Sequence, residues 1–245
     1  MESSKSRQTH GTAQKYVGEI CHFPRWKRVF DLTLILLTIP IWLVAMILIA
    51  IGIKCVSPGP VFFKQVRIGF RGRPFWCFKF RSMKVNADTT CHEGYLRDLV
   101  NSNRPMTKLD ASGDSRLIPL GKILRATGLD ELPQLFNILR GEMSLVGPRP
   151  CTAHEFSMYE SWQKERVNAP PGLTGYWQVN GKNKTTFTEM IAMDIHYSVV
   201  MSPACDIAIL LKTIPAVLGQ VYETKIAAPA RHAPMMQPAV EAVES

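Results

Sequence analysis

The chain sets one long apolar run among shorter segments whose apolar positions recur at helix or strand spacing. From Leu32 to Ile53, 22 residues (LTLILLTIPIWLVAMILIAIGI) pass without a charge. As a straight helix this run spans roughly 33 Å at about 1.5 Å per residue, enough to cross a bilayer. It starts too late for a cleavable signal peptide, and Lys54-Cys55-Val56-Ser57 follows it in place of a small-residue cleavage site. A buried core helix competes with this reading, and the unbroken length favours membrane contact. Pro40 falls inside the run, where it removes a backbone hydrogen bond and kinks the helix. The Thr38 hydroxyl can serve a carbonyl freed by that kink. Arg25, Lys27 and Arg28 precede the run, and Lys54, Lys64 and Arg67 follow it. Basic flanks on both sides give the positive-inside rule no orientation for a crossing. A helix that enters, bends at Thr38–Pro40 and returns keeps both flanks cytoplasmic, so a kinked crossing and a re-entrant helix both stand.

A second apolar stretch, Ile207 to Leu218, is interrupted by Lys212 and Pro215. It is too short to span and reads as an interfacial or core helix. Amphipathic helical pieces are expected around Ile118–Leu124, Leu132–Leu139 and Met190–Val200, and strands at Val61–Gln65 and Phe75–Phe80. The fold class is a compact α/β (α+β) catalytic domain, with an N-terminal membrane helix and interfacial amphipathic helices. Four regions follow: a basic tail at 1–24, the membrane helix at 25–55, the catalytic region at 56–222, and an Ala/Pro-rich tail at 223–245. Both tails are expected to be mobile.

Composition narrows the picture. A formal net charge of +9 points to anionic partners: nucleic acid, acidic lipid head groups or phosphorylated substrates. The six cysteines form no CxxC pair, which argues against a zinc ribbon or a disulfide framework and for a reducing compartment.

Candidate chemistry lies in three stretches. In RATGLDELPQLFNILRG (125–141), Leu132, Leu135, Phe136 and Leu139 recur at helical spacing and Gly141 is a natural stop. With Pro133 in its first turn, the helix is expected to begin near Asp130. That places Asp130 and Glu131 at the positive end of a helix, where exposed N–H groups also attract phosphate. Two adjacent carboxylates there can ligate Mg²⁺, attack a phosphorus or accept a proton; they can equally be caps. Lys79-Phe80-Arg81-Ser82-Met83 alternates cations with an aromatic after a strand, or is a solvated strand edge. Arg149 stands between Pro148 and Pro150, which present its guanidinium at little entropic cost. The stretch Pro171–Lys182 (PGLTGYWQVNGK) offers Gln178 and Asn180 to a nucleotide or sugar, or is a hairpin with an Asn-Gly turn.

In this order (KFRSM, LDELPQLFNILRGEMSLVGPRP, PGLTGYWQVNGK, after a basic-flanked apolar helix) the motifs closely resemble the bacterial sugar transferase family. Its monotopic phosphoglycosyl transferases begin exopolysaccharide, O-antigen or glycoprotein glycan assembly. The resemblance runs from about Lys27 to Val221, and the chain looks like the short form, without the multi-helix membrane domain of longer members. It implies Asp130 as a nucleophile on the phosphorus beside the sugar of a UDP-sugar, with UMP leaving and undecaprenyl phosphate then taking the sugar-phosphate. It further implies Glu131 as a base or as an aid to metal positioning, and Mg²⁺ held at Asp130. Phosphate contacts would come from Arg125, Arg149, Lys79 and Arg81. Where many members have Asn-Gly-Arg, this chain has Asn180-Gly181-Lys182, so Lys182 keeps the charge without the planar fork. The family's first helix is re-entrant, bent at a Ser-Pro pair; here the match is Ile39-Pro40, with Thr38 as the nearest hydroxyl, so the resemblance implies a re-entrant membrane helix at 25–55. The implied sugar is a hexose-1-phosphate, and the implied place is the cytoplasmic face of the bacterial inner membrane. A homo-oligomer is compatible with the sequence.

Two other classes are weighed. A direct glycosyltransferase releasing UDP commonly holds its metal with a D-x-D sequence, and the chain has none. A non-enzymatic basic membrane assembly protein or a nucleic-acid binder calls for a continuous basic stripe with stacking aromatics. Here the cations cluster around Gly- and Pro-rich motifs instead, so no nucleic-acid partner is expected.

Overall fold

The computed structural model describes residues 23–85, 116–181 and 185–226, with side chains up to Tyr222. The apolar run forms two helices, α1 (Arg25–Leu37) and α2 (Ile39–Val56), separated by Thr38 alone. Pro40 lies in the first turn of α2, where its missing N–H costs nothing. Carbonyls at the end of α1 are served by side chains. The Thr38 hydroxyl donates to Leu34 O at 2.7 Å, and the Trp42 indole N–H folds back to Ile35 O at 3.1 Å. Such internal satisfaction is what apolar surroundings demand of a broken helix.

Strands β1 (Phe62–Ile68) and β2 (Pro74–Phe80) form an antiparallel hairpin, pairing Phe63 with Lys79 and Gln65 with Cys77. Helix α3 (Gly121–Thr127) leads through a 3-10 turn (Leu129–Glu131) into α4 (Gln134–Arg140). There follow β3 (Ser144–Val146), β4 (Cys151–Thr152), α5 (Ala153–Met158), β5 (Gly172–Thr174), α6 (Tyr176–Asn180), α7 (Phe187–Val200) and α8 (Pro203–Ile226). Strand β4 extends the hairpin on its β1 side, and β3 pairs with β5 in parallel. The main core joins both membrane-side helices to the catalytic body, with Ile35, Trp42, Met46 and Ile53 packing with Phe75, Phe80, Leu135 and Ile138.

Several expectations change. The helix after the Asp-Glu pair begins at Gln134, so Asp130 and Glu131 stand on the preceding 3-10 turn rather than on its first turn. Gly128 at φ 72° makes the left-handed bend that starts this turn, a conformation that costs glycine no Cβ clash. The buried face of α4 holds Gln134, Leu135, Asn137 and Ile138, whereas Phe136 is exposed and meets Trp42 edge-on at 6.0 Å. The helix packs between β2 and α1, so its environment overrides the apolar stripe. No Asn-Gly hairpin forms at 171–181; β5 runs into α6. The apolar stretch 207–218 belongs to a 24-residue helix, α8, with Pro215 inside it. Helix length is set by the backbone, not by the apolar run, and both α2 and α8 are long and apolar enough to cross a membrane. Their outer faces expose Ile41, Val44, Ile47, Leu48 and Ile51 on α2, and Ile207, Leu211, Ile214 and Leu218 on α8. The terminal tails, residues 1–22 and 227–245, lie outside the described residues.

Candidate active site

The cleft is built from three segments that packing brings together. Phe75, Cys77 and Lys79 alternate onto one face of β2, running from the core to the cleft. Asn137 fixes α4 against this strand: its amide oxygen accepts from Phe78 N at 3.0 Å, and its Nδ2 donates to Trp76 O at 2.6 Å. It thereby covers the open edge of β2 as a neighbouring strand would. The third segment is the loop after β3. Gly147 and Gly172 touch backbone to backbone: a Cβ on Gly147 would lie 2.0 Å from Pro170 O, and one on Gly172 2.0 Å from Gly147 N. The VGPRP and PGLTG motifs are therefore two sides of one junction.

Glu131 receives both cations on one oxygen. Lys79 Nζ lies 2.7 Å and Arg149 Nη2 3.0 Å from Glu131 Oε1. Arg67, Cys77, Gln134, Pro150 and Gly172 complete the lining of an open cleft of about 220 Å³. Arg149 keeps 41% of its side chain exposed, against 15% for Glu131. Burial disfavours the charged form of Glu131, but Arg149 and Lys79 overcome it and hold the carboxyl well below the usual carboxylate range. Asp130 behaves oppositely. Burial pushes its carboxyl up, Lys79 opposes that shift, and the Glu131 charge adds to it. Among the described residues Asp130 makes no ion pair. The two adjacent carboxylates are thus driven apart in pKa, one firmly ionised and one poorly solvated.

The bacterial sugar transferase family matches residues 23–220 of the chain. The chain belongs to that family. It is 39% identical over 192 residues to the exopolysaccharide production protein ExoY of Sinorhizobium fredii, covering 78% of this chain and 84% of that protein. It is also similar to the UDP-glucose:undecaprenyl-phosphate glucose-1-phosphate transferase of Xanthomonas campestris, at 41% over 185 residues, covering 71% of this chain and 35% of that protein. A third relative is the undecaprenyl-phosphate galactose phosphotransferase of Salmonella typhimurium, at 39% over 160 residues, covering 65% of this chain and 34% of that protein. The chain thus spans most of ExoY and about a third of the two longer proteins.

In this sugar transferase the residues expected at the site do not all meet. Glu131, Lys79 and Arg149 line the cleft together, and Asp130, which is not among its lining residues, lies near enough to feel the charges of Lys79, Arg149 and Arg125. Arg81 is turned away: its guanidinium donates to Ser57 O at 2.8 Å and Pro58 O at 2.6 Å, closing the chain end of α2. That is a correction, because the side chain that follows β2 is spent on anchoring the membrane-side helix. Asn180 ends α6, where its Nδ2 donates to Tyr176 O and its oxygen accepts from Lys212 Nζ at 3.0 Å. The Gln178 side-chain oxygen is buried and without a hydrogen-bond partner among the described residues, so it can take a donor from a ligand. Lys182 lies outside the described residues. Sequence reasoning missed Arg67, Asn137 and Arg166. The signal for Asn137 was present, a polar residue inside an apolar helical stretch; a lone basic residue such as Arg67 carries none.

Proposed function

We propose that this enzyme transfers a sugar-1-phosphate from a UDP-sugar to undecaprenyl phosphate with release of UMP. The observation that carries this reading is the division of labour in the dyad: a buried Asp130 that makes no ion pair among the described residues, beside a Glu131 that holds two cations at the cleft. The printed names of the relatives supply the substrate classes, UDP-glucose and undecaprenyl phosphate for one and undecaprenyl phosphate with galactose phosphate for another. An Asp130 carboxylate oxygen attacks the phosphorus bearing the sugar, and the bond from that phosphorus to the UMP oxygen breaks. An oxygen of undecaprenyl phosphate then attacks the same phosphorus, and the bond to Asp130 breaks, leaving a lipid diphosphosugar and a free carboxylate. Two displacements replace one hard one. Lys79 and Arg149 face the phosphates, while Glu131 holds both cations in place. A carboxyl held this low is a poor proton acceptor, which favours positioning over base catalysis for Glu131.

The donor set fits Mg²⁺. Among the described residues no cluster of three or more His, Cys, Asp or Glu forms a cage, and Asp130 is the carboxylate not committed to cations. Mg²⁺ commonly takes one or two carboxylates and completes its shell with phosphate oxygens and water. Bound at Asp130, it would supply charge neutralisation on the diphosphate.

The enzyme is membrane-associated, and the re-entrant reading of α1–α2 is preferred. Ile35 and Ile53, near opposite ends of the apolar run, are buried in one cluster of the catalytic body. Arg28 of α1 also donates to Ile138 O and Leu139 O at the end of α4. A crossing helix would need its two ends on opposite sides of the bilayer. With both flanks basic, the body lies on the cytoplasmic face. The sugar is proposed to be a hexose.

The test is product analysis with purified protein, Mg²⁺ and undecaprenyl phosphate, offering UDP-glucose, UDP-galactose and their N-acetyl forms. UMP release with one donor, lost by at least about 10³-fold in Asp130→Asn, is expected for a covalent nucleophile. UDP as the product, or turnover that survives in Asp130→Asn, overturns the reading.

A further inference from the structure

Arg149 sits in a loop with few handles. Pro148 and Pro150 have no N–H groups, so the backbone around Arg149 can be held mainly through its carbonyls. All three are taken, each by a donor from a different part of the chain. Gly172 N donates to Pro148 O at 2.9 Å, Arg166 Nη2 to Arg149 O at 3.0 Å, and Arg67 Nη1 to Pro150 O at 3.1 Å. A small open hollow bounded by Pro148, Pro150, Arg166 and Val167 lies against the loop.

Arg166 is unlike the other two donors. It is 3% exposed on the 3-10 segment Gln163–Asn168, and its Nη1 donates to the Tyr159 hydroxyl at 2.8 Å. Its Nη2 is shared between Arg149 O and Asp194 Oδ2, where Asp194 is a buried carboxylate on α7. A buried ion pair is an expensive way to stabilise a fold, since desolvation offsets most of the attraction. What it does supply is a planar donor fork that cannot rotate, pointing at one carbonyl of one loop.

We infer that Arg166, held by Asp194 and Tyr159, is a positioning residue that aims the Arg149 guanidinium into the phosphate cleft. The inference rests on the proposed reading of Arg149 as a phosphate contact. Arg166 touches no substrate; it sets the backbone from which Arg149 reaches Glu131 and the cleft.

Arg166→Lys keeps the charge but cannot serve Tyr159, Asp194 and the Arg149 carbonyl in one plane. The experiment compares wild type, Arg166→Lys, Arg149→Ala and the double variant, reading kcat and KM for UMP release and the Kd for UDP by calorimetry. Arg166→Lys is expected to lower kcat/KM by about 10- to 100-fold, mostly in kcat, as a small misplacement of a catalytic group does. In the Arg149→Ala background the same change should alter kcat/KM and the UDP Kd by less than about 2-fold. A general structural role would lower both backgrounds alike, so equal losses overturn the inference, as does wild-type kcat/KM in Arg166→Lys. If Arg166→Lys fails to fold, Tyr159→Phe replaces it, with a loss of about 2- to 5-fold expected from the one hydrogen bond removed. The two readings fail separately. Coupled losses in UDP binding without UMP release by wild type would sink the proposed reaction and keep the positioning role. UMP release with additive losses would do the reverse, and a wild type that binds no UDP removes both.

Discussion

Two groups of charges hold the same stretch of chain, β3 and the loop after it, in different ways. On one side Lys27 of α1 pairs with Asp206 of α8, both at 0% exposure, and Lys27 also donates to the Tyr197 hydroxyl at 2.8 Å. Tyr197 reaches Val146 O at 3.2 Å, and Asp31 accepts from Leu145 N at 3.1 Å. On the other side Lys79 and Arg149 share one oxygen of Glu131, with Arg149 open to the cleft. The first group buries one cation, Lys27, with the Asp206 and Asp31 carboxylates and shuts out water, so none of its charges is open to a ligand. The second gives two cations one firmly ionised partner and leaves Asp130 without an ion pair among the described residues. Ion pairing by itself therefore does not mark a site here; incomplete pairing at an opening does.

The comparison breaks most visibly at Lys27. Lys27→Ala leaves the Asp206 carboxylate buried and uncompensated, an expected loss of about 3–5 kcal/mol in denaturation experiments. Replacing both partners with apolar residues (Lys27→Met with Asp206→Leu) should recover part of it, because Asp31 still loses its neighbouring cation. If the single variant is as stable as wild type, the network is not closed. Arg149→Lys should do the opposite. It is expected to cost about 10- to 100-fold in kcat/KM through loss of the planar fork, with stability changed by less than about 0.5 kcal/mol.

Acid sharpens the contrast. The folded Glu131 carboxyl is held below its usual value of 4.5, so the unfolded chain binds the extra proton first as pH falls. The stability this supplies is complete above that pH and drains away below it. Acid unfolding of Glu131→Gln should accordingly be shallower below pH 4.5 than that of wild type; parallel curves would refute the ion-pair assignment. Asp130, raised above its usual 3.8, moves the other way, and the acid limb of kcat/KM should lie above that value. Removing the neighbouring charge in Glu131→Gln should shift this limb to lower pH. The smallest effect is expected at the helix break. Thr38→Val removes the hydroxyl bond to Leu34 O, where the Thr38 backbone N–H at 3.2 Å still serves the same carbonyl. The expected cost is about 0.5–1 kcal/mol, read as a small fall in melting temperature.

Local features of the chain were legible without coordinates. The uncharged run, its interruption at Pro40, the strands on either side of Phe70, the stop at Gly141 and the three motif stretches all follow from spacing and from residues with fixed backbone demands. Those rules are local, because a helix repeats every 3.6 residues and a strand every two. Where they failed, a distant partner had intervened. Phe136 left the buried face of α4 because Trp42 offers it a surface on the membrane side, and Asn137 entered because β2 has an edge to cover. Arg81 was expected among phosphates and instead closes α2.

The sequence by itself determined the family motifs, the break in the apolar run and which segment carries the dyad. Only the tertiary structure decided which charges meet: Lys79 with Glu131 across 52 residues, and Lys27 with Asp206 across 179. Nothing in spacing or propensity encodes such pairings. They depend on how β2, α4 and the loop after β3 are packed, since an ångström or two separates an ion pair from a solvated charge. The separate fates of Asp130 and Glu131, adjacent in the chain, come from the same cause. One side chain pairs with two cations and the other, among the described residues, with none, and burial together with those cations sets their chemistry.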